Sequence, residues 1–285
     1  MDSHGWHVVY QTIRAADREI PRSGRRPAYS DVLIVSMYIW SVLHDRPLCW
    51  ACGRSHYGSC FRPRRLPSIS QFCRRIQTQR CELILQRVHE RLAHIDWATD
   101  LSFIDGRALI VGAHSKDPHA QSGPWGKQMA RGYKLHAWSA EDGRIPVWSV
   151  MPLNVSEKRV AAEMLRYRLT DGFVLADAGY DSGTLYDQIE TDGGQLLTPL
   201  PKNAGKGHRP QSASRNRAAW AWTGLAGYLY RTRVTAERTF AHLSAYGGGL
   251  APLPAWVRTL PRVRRWIGAK LIIYHARWNV RKNAI

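Results

Sequence analysis

"LSFIDGRALIV", residues 101–111, sets apolar, β-prone residues on both sides of one polar pair, Asp105-Gly106. Runs of this kind read as strands, and Asp-Gly is among the commonest turn pairs. The stretch therefore predicts a strand interrupted at Asp105-Gly106. An aspartate beside Leu101, Phe103 and Ile104 loses hydration, a cost that calls for a partner. What that partner is decides how the rest of the chain is read.

Outward from it, "YKLHAWSA" (133–140), the turn Glu141-Asp142-Gly143-Arg144 and "IPVWSVMPL" (145–153) form a hairpin with Asp-Gly turn chemistry. "SEKRVAAEMLRYRL" (156–169) predicts a helix capped by Ser156. "GFVLADAGY" (172–180) is a short apolar strand ending at Asp177, and "SGTLYDQIET" (182–191) a helix with Asp181 as its cap. "QLLTPLPKN" (195–203) is a further strand, and a polar loop follows over 203–218. Helices over 230–240 and 262–281 close the chain. Three strands in a meander, a helix, a fourth strand, a helix, a fifth strand and further helices make an RNase H-like α/β fold. Its mixed five-stranded sheet is flanked by helices.

Residues 1–98 read as all helical, and 99–285 as the RNase H-like domain. "YSDVLIVSMYIWSVLHD" (29–45) is apolar on nearly every face, as a core helix is. "PSISQFCRRIQTQRCELILQRVHERLAHI" (67–95) opens with a serine cap and repeats apolar residues from Ile69 to Leu92. It reads as a short helix, a turn and a long helix, with Arg74 and Arg75 on the exposed side. Such a unit suits either a DNA-contacting role or a solvated basic face.

The formal net charge is +19 and the pI about 10.2, a field that attracts polyanions, nucleic acid foremost. The basic residues are spread along the chain rather than gathered on one amphipathic helix, which disfavours a membrane surface. The longest apolar run, 32–43, is broken by Ser36 and Ser41 and falls short of the roughly 20 residues a bilayer span needs. A soluble, intracellular protein is expected. Five cysteines lie before residue 82. The spacing Cys49, Cys52, His56, Cys60 resembles a zinc knuckle with shortened gaps; the alternative, and the expectation here, is that Cys49 and Trp50 continue an apolar helix.

In an RNase H-like sheet the first and fourth strands are neighbours, so Asp105 and Asp177 can converge. Glu237, in "YRTRVTAERTF" (230–240), lies on a helix able to supply a third carboxylate. Three such groups repel unless cations neutralise them, and carboxylates are hard ligands suited to Mg²⁺ or Mn²⁺. Two ions about 3.5–4 Å apart can clamp the attacking and leaving oxygens of an in-line phosphoryl displacement.

"FIDGRALIVGAHSKD", "GYKLHAW", "VLADAGYD" and "YRTRVTAERTF" together resemble the catalytic core of bacterial insertion-sequence DDE transposases, over roughly residues 28–280. The resemblance implies Asp105, Asp177 and Glu237 as catalytic and metal-binding residues holding two Mg²⁺ or Mn²⁺ ions. One branch of the family carries Y-x2-R-x3-E-x6-K around the glutamate; Tyr230, Arg233 and Glu237 match, and Ser244 stands where lysine is expected. Steps of 3, 4 and 7 put these four on one helical face, with Tyr230 and Arg233 gripping DNA phosphates. Arg238, Lys116, Arg74 and Arg75 are further DNA-binding candidates, and His114 and Asp117 accompany Lys116. Trp220 and Trp222 are candidates for stacking a displaced base, against the plainer reading of core packing.

The implied activity is cleavage at the ends of the element and transfer of the freed 3′-hydroxyl to target DNA. The implied partners are the terminal inverted repeats and target DNA, with a dimer assembled on DNA in a bacterial cytoplasm, near the nucleoid. Two alternatives stay open: an RNase H-like nuclease or resolvase that cuts without joining, and a non-catalytic DNA-binding protein derived from a transposase.

Overall fold

The computed structural model describes residues 2–22, 24, 27–94, 100–112, 114–166, 172–199, 212–222, 224–245, 249–250 and 252–282. The chain divides into two compact units. The first comprises Met1–His94, His242–Leu250 and Ala255–Ile285, the second Ile95–Ala241 and Ala251–Pro254.

The first unit is helical: α1 (Ser3–Glu19), α2 (Asp31–Leu43), α3 (Ile69–Arg75) and α4 (Gln79–Leu92). Each begins where the sequence supplies an acceptor for an orphan backbone donor. Asp2 takes the amide of Gly5, Ser30 that of Leu33 and Thr78 that of Cys81; Ser68 and Gln71 form a reciprocal capping box. α2 is buried along most of its length, as its all-round apolar sequence requires.

The chain past α2 does not continue that helix. Pro47 starts a separate 3-10 turn over Leu48–Cys52, which leaves Cys49 exposed. His56 stacks on Trp50 with ring centroids 4.5 Å apart, and its Nδ1 lies 2.6 Å from the Trp50 carbonyl. Among the described residues no three His, Cys, Asp or Glu side chains are grouped to hold a metal ion.

The second unit holds a six-stranded mixed sheet of β1 (Leu101–Ile110), β2 (Gln121–Trp125), β3 (Gln128–Ala140), β4 (Val147–Pro152), β5 (Phe173–Ala176) and β6 (Gln195–Leu197). β4 and β3 pair antiparallel, β3 and β1 antiparallel, and β1, β5 and β6 run parallel. The spatial order β4-β3-β1-β5-β6 is the RNase H-like arrangement expected. α5 (Glu157–Leu165) and α6 (Gly183–Thr191) supply the crossovers. Their apolar faces, with Val160, Met164, Leu185, Tyr186 and Ile189, join Ile104, Val174, Leu175 and Trp138 in one core. α7 (Ala213–Ala221), α8 (Leu225–Tyr230) and α9 (Val234–Ala245) follow, with a 3-10 turn, Arg231–Arg233, between the last two.

Three expectations are corrected here. β1 is continuous through Asp105-Gly106, because Asp105 faces Ala137 and Gly106 faces His136 in an unbroken ladder with β3. A sixth strand, β2, adds to the start of β3; its sequence, "QSGPW", lacks an alternating pattern and carries a proline tolerated only at a sheet edge. The last helix, α10 (Leu260–Lys282), belongs to the first unit rather than with the sheet. It buries Val263, Trp266, Ile267, Leu271 and Tyr274, and Asn279 donates to the carbonyl of Leu92, 3.1 Å away at the end of α4. Of the polar loop expected over 203–218, residues 203–211 lie outside those described, and from Ala213 the chain is helical.

Candidate active site

Parallel pairing of β1 with β5 sets Ile104 opposite Ala176. The next residue on each strand is an aspartate, Asp105 and Asp177. Hydrogen-bond register alone therefore brings them side by side, where the second carboxylate adds to the cost of a charge on Asp105 instead of relieving it. Asp177 turns the chain directly after β5: its Oδ1 accepts from the Gly179 amide at 2.8 Å and starts the 3-10 turn Ala178–Tyr180. Asp105 sits inside β1 rather than at its end, and its Oδ1 accepts from the Gly106 amide at 2.8 Å.

Arg233 answers Asp105. Its Nη2 lies 3.1 Å from Asp105 Oδ1, and its Nη1 3.7 Å from Glu237 Oε1. The Arg233 Nε is buried with no hydrogen-bond partner. Burial pushes the Asp105 carboxyl above its ordinary range and the neighbouring Asp177 adds to that, while the Arg233 guanidinium pulls it back. One guanidinium thus stands between Asp105 and a glutamate that is 66% exposed. Glu237 does not converge on the aspartates to make a three-carboxylate cluster, since Arg233 takes the intervening place.

Two residues that sequence reasoning passed over complete the surroundings. Lys134, on β3, forms an ion pair with Glu157 at the start of α5 and lies within electrostatic reach of Asp177 and Asp105. His136, fully buried, places Nδ1 3.2 Å from the Tyr180 hydroxyl, which ties the turn after Asp177 to β3. Burial, helped by Lys134, drives His136 down to about 3, so the imidazole is neutral. Alternation along "YKLHAW" was the available signal: Lys134 and His136 share one face of the strand.

The other candidates are scattered. Tyr230 is half-buried and packs on Trp222, with ring centroids 5.0 Å apart. Arg238 is exposed. Trp220 is 89% exposed, so core packing does not account for it, whereas Trp222 packs partly against the core. Lys116 and His114 are exposed, but Asp117 is buried and accepts from the Tyr133 hydroxyl at 2.8 Å, a structural role. Asp181 does not cap α6; it holds Arg215 through two bonds of 2.7 and 2.8 Å. In the first unit Arg74 is exposed, while Arg75 is engaged by Asp31 instead of lying free. The Ser244 hydroxyl is buried without a partner, so it is not presented to solvent as a phosphate contact.

The sheet is RNase H-like, with Asp105 inside β1 and Asp177 directly after the parallel strand β5. Residues 98–278 match the family model described as "Transposase DDE domain". The chain belongs to that family. Among solved structures, an intasome of simian T-cell lymphotropic virus in complex with the PP2A regulatory subunit B56 gamma is similar at 12% identity and a TM-score of 0.23. That match covers 58% of this chain and 59% of the other. The Mos1 transposase paired-end complex with left transposon end is similar at 10% identity and a TM-score of 0.25, over 81% and 83% of the two chains. No curated protein matches the sequence. Among the described residues no helix is long and apolar enough to cross a membrane.

Proposed function

We propose that the protein is the transposase of a bacterial insertion sequence, and that Asp105, Asp177 and Glu237 are its catalytic carboxylates. The observation that carries this reading is the β1–β5 register, which sets Asp105 beside Asp177 with Arg233 reaching from Asp105 to Glu237. Transposases of this class use divalent metal ions. The donor set fits Mg²⁺ or Mn²⁺: the carboxylates are hard oxygen ligands, and Asp105 is a buried acid whose negative charge is balanced by Arg233. Asp105 and Asp177 would hold the ions, and Glu237 would join them once Arg233 gives up its place between the acids. When bound, such ions supply the positive charge that activates the attacking oxygen and stabilises the leaving one.

The chain's own residues position the DNA. Arg233, with a buried and unpartnered Nε, and Tyr230 beside it are placed to bind phosphates flanking the scissile one. Arg238, Lys116 and Arg74 extend the contact to the DNA backbone, which is also the role we assign to the helical first unit. Trp220, exposed on α7, is offered to a displaced base. In the first step a water oxygen bonds to phosphorus, the P–O3′ bond breaks, and the electron pair leaves on O3′. Water loses one proton to solvent, and O3′ gains one to become the free hydroxyl. In the second step that hydroxyl bonds to a target phosphorus, losing its proton, and the target O3′ leaves. The element's terminal inverted repeats and target DNA are the substrates, brought together by a dimer assembled on DNA in the bacterial nucleoid.

The test is Asp177→Asn, which keeps the side chain's shape and removes its charge. Cleavage of end DNA in Mg²⁺ is expected to vanish while end binding stays near wild type. Undiminished cleavage would overturn the assignment. A strand-transfer assay with precleaved ends separates this reading from a nuclease, which would cut and never join.

A further inference from the structure

Lys134, within the "GYKLHAW" stretch, is the cation that approaches the aspartates from the other side of the sheet. Gly106 and Lys134 share a face of the sheet, since Lys134 pairs with Ala108 and Gly106 is two residues away on the same strand. Asp105, by the same alternation, projects from the opposite face, where Arg233 meets it. The Lys134 stem crosses directly over Gly106. A Cβ there would collide with Lys134 Cε and come within 3.3 Å of both Cδ and Nζ. The ammonium then meets the Glu157 carboxylate from α5. Glu157 in turn needs a glycine: a Cβ at Gly179 would collide with Glu157 Oε2 and approach Asp177 Oδ1 to 2.9 Å.

Each aspartate is thus followed, one or two residues on, by a glycine whose missing side chain admits one member of this ion pair. Burial pulls Lys134 below its ordinary range, and the charges that hold it up are Asp177 first and Asp105 second. A salt bridge serving stability alone would sit as well anywhere along β3 and α5. This one is threaded to the edge of the carboxylate pair.

We propose that Lys134 is a further catalytic residue, its ammonium contacting a non-bridging oxygen of the scissile phosphodiester, and that Glu157 is its positioning residue. The inference rests on the reading of Asp105 and Asp177 given above. Lys134 carries a compact charge on a flexible four-carbon stem, able to move from Glu157 onto a phosphate oxygen while Glu157 limits its range. In phosphoryl transfer, charge spreads over the non-bridging oxygens, and a preplaced cation there lowers the barrier. No bond to Lys134 forms or breaks and no proton is consumed.

The experiment compares single-turnover cleavage of end DNA by the full chain with Mn²⁺ binding to the protein alone, followed by paramagnetic resonance, and with thermal unfolding. Lys134→Met is expected to lower cleavage about 100-fold, as loss of one such contact does, while Mn²⁺ binding is retained or tightened. Lys134→Arg should recover part of the rate. Glu157→Gln should lower cleavage about tenfold, and should cost nothing further in the Lys134→Met background, since it acts only through the lysine. Lys134→Met cleaving within about threefold of wild type would overturn the proposal. So would loss of Mn²⁺ binding in step with cleavage, the mark of a merely structural pair. If Lys134→Met does not fold, Glu157→Gln decides alone: unchanged cleavage overturns the positioning role. Asp177→Asn in the same assays separates the two levels. If it still cleaves, the carboxylate reading falls; if it is inactive while Lys134→Met is unaffected, only the present inference falls.

Discussion

Arg233 Nη2 lies 3.1 Å from Asp105 Oδ1, and this contact organises the charge of the candidate site. The same guanidinium reaches Glu237, so the three residues form a line in which a cation separates two acids. A guanidinium with a free, buried Nε in that position is both the counter-ion of Asp105 and a donor awaiting an acceptor.

Arg233→Met is therefore expected to weaken binding of end DNA at low salt. The log–log salt slope should become shallower by about one unit, as loss of one phosphate contact requires. Affinity measured at several salt concentrations for both proteins checks this. An unchanged slope would assign Arg233 to Asp105 alone.

Ser244 stands where the related signature has lysine, and its hydroxyl is buried without a hydrogen-bond partner. Removing an unsatisfied buried hydroxyl is neutral or stabilising. Ser244→Ala is expected to leave end affinity and salt slope unchanged and to raise the unfolding midpoint slightly. A loss of DNA affinity would show that the hydroxyl turns toward the DNA after all.

In the first unit Asp31 is almost fully buried at the head of α2 and is held by Arg22, Arg75 and Arg80, the first and last at 3.1 and 3.0 Å. Arg80 also bonds Asp17 at 2.6 Å, and so ties α4 to α1 and α2. Removing the shared carboxylate leaves cations facing one another. Asp31→Asn is expected to cost roughly 3–5 kcal/mol of stability, measured by chemical denaturation. A change below about 1 kcal/mol would mean that Asp17 alone suffices.

Lys270 on α10 has a fully buried side chain, its Nζ 3.7 Å from Asp45 Oδ1 and 4.7 Å from the Trp266 ring centroid. Burial, with Arg277 adding to it, lowers the ammonium to about 8 against the restoring pull of Asp45. Below pH 8 both folded and unfolded chains carry the proton, and burying it costs folding roughly 3 kcal/mol. Between about pH 8 and the ordinary lysine value of 10.5 the folded state loses its proton first, so stability rises with pH. Lys270→Met is expected to be more stable at pH 7 and to lack that rise. Parallel pH profiles for the two proteins would show that the ammonium is solvated.

The sequence by itself determined the element order apart from β2, and a helix at Glu237 that begins at Val234 instead of Tyr230 because the 3-10 turn Arg231–Arg233 intervenes; hydrophobic periodicity, caps and turn residues act within a few residues of one another. It also determined that Asp105 needs a partner, since an acid amid strand residues loses its water wherever the strand lies. Only the tertiary structure decided which groups surround it. Asp177 arrives through the β1–β5 register and Arg233 through the turn before α9. Lys134 and Glu157 meet because two glycines leave them room. The unbroken course of β1 through Asp-Gly is set by its ladder with β3, which overrides local turn preference. α10 joins the first helices rather than the sheet because its apolar face is buried among them. Pairings between residues far apart in the chain depend on backbone hydrogen bonds and on space left empty, and neither is written in any one stretch of residues.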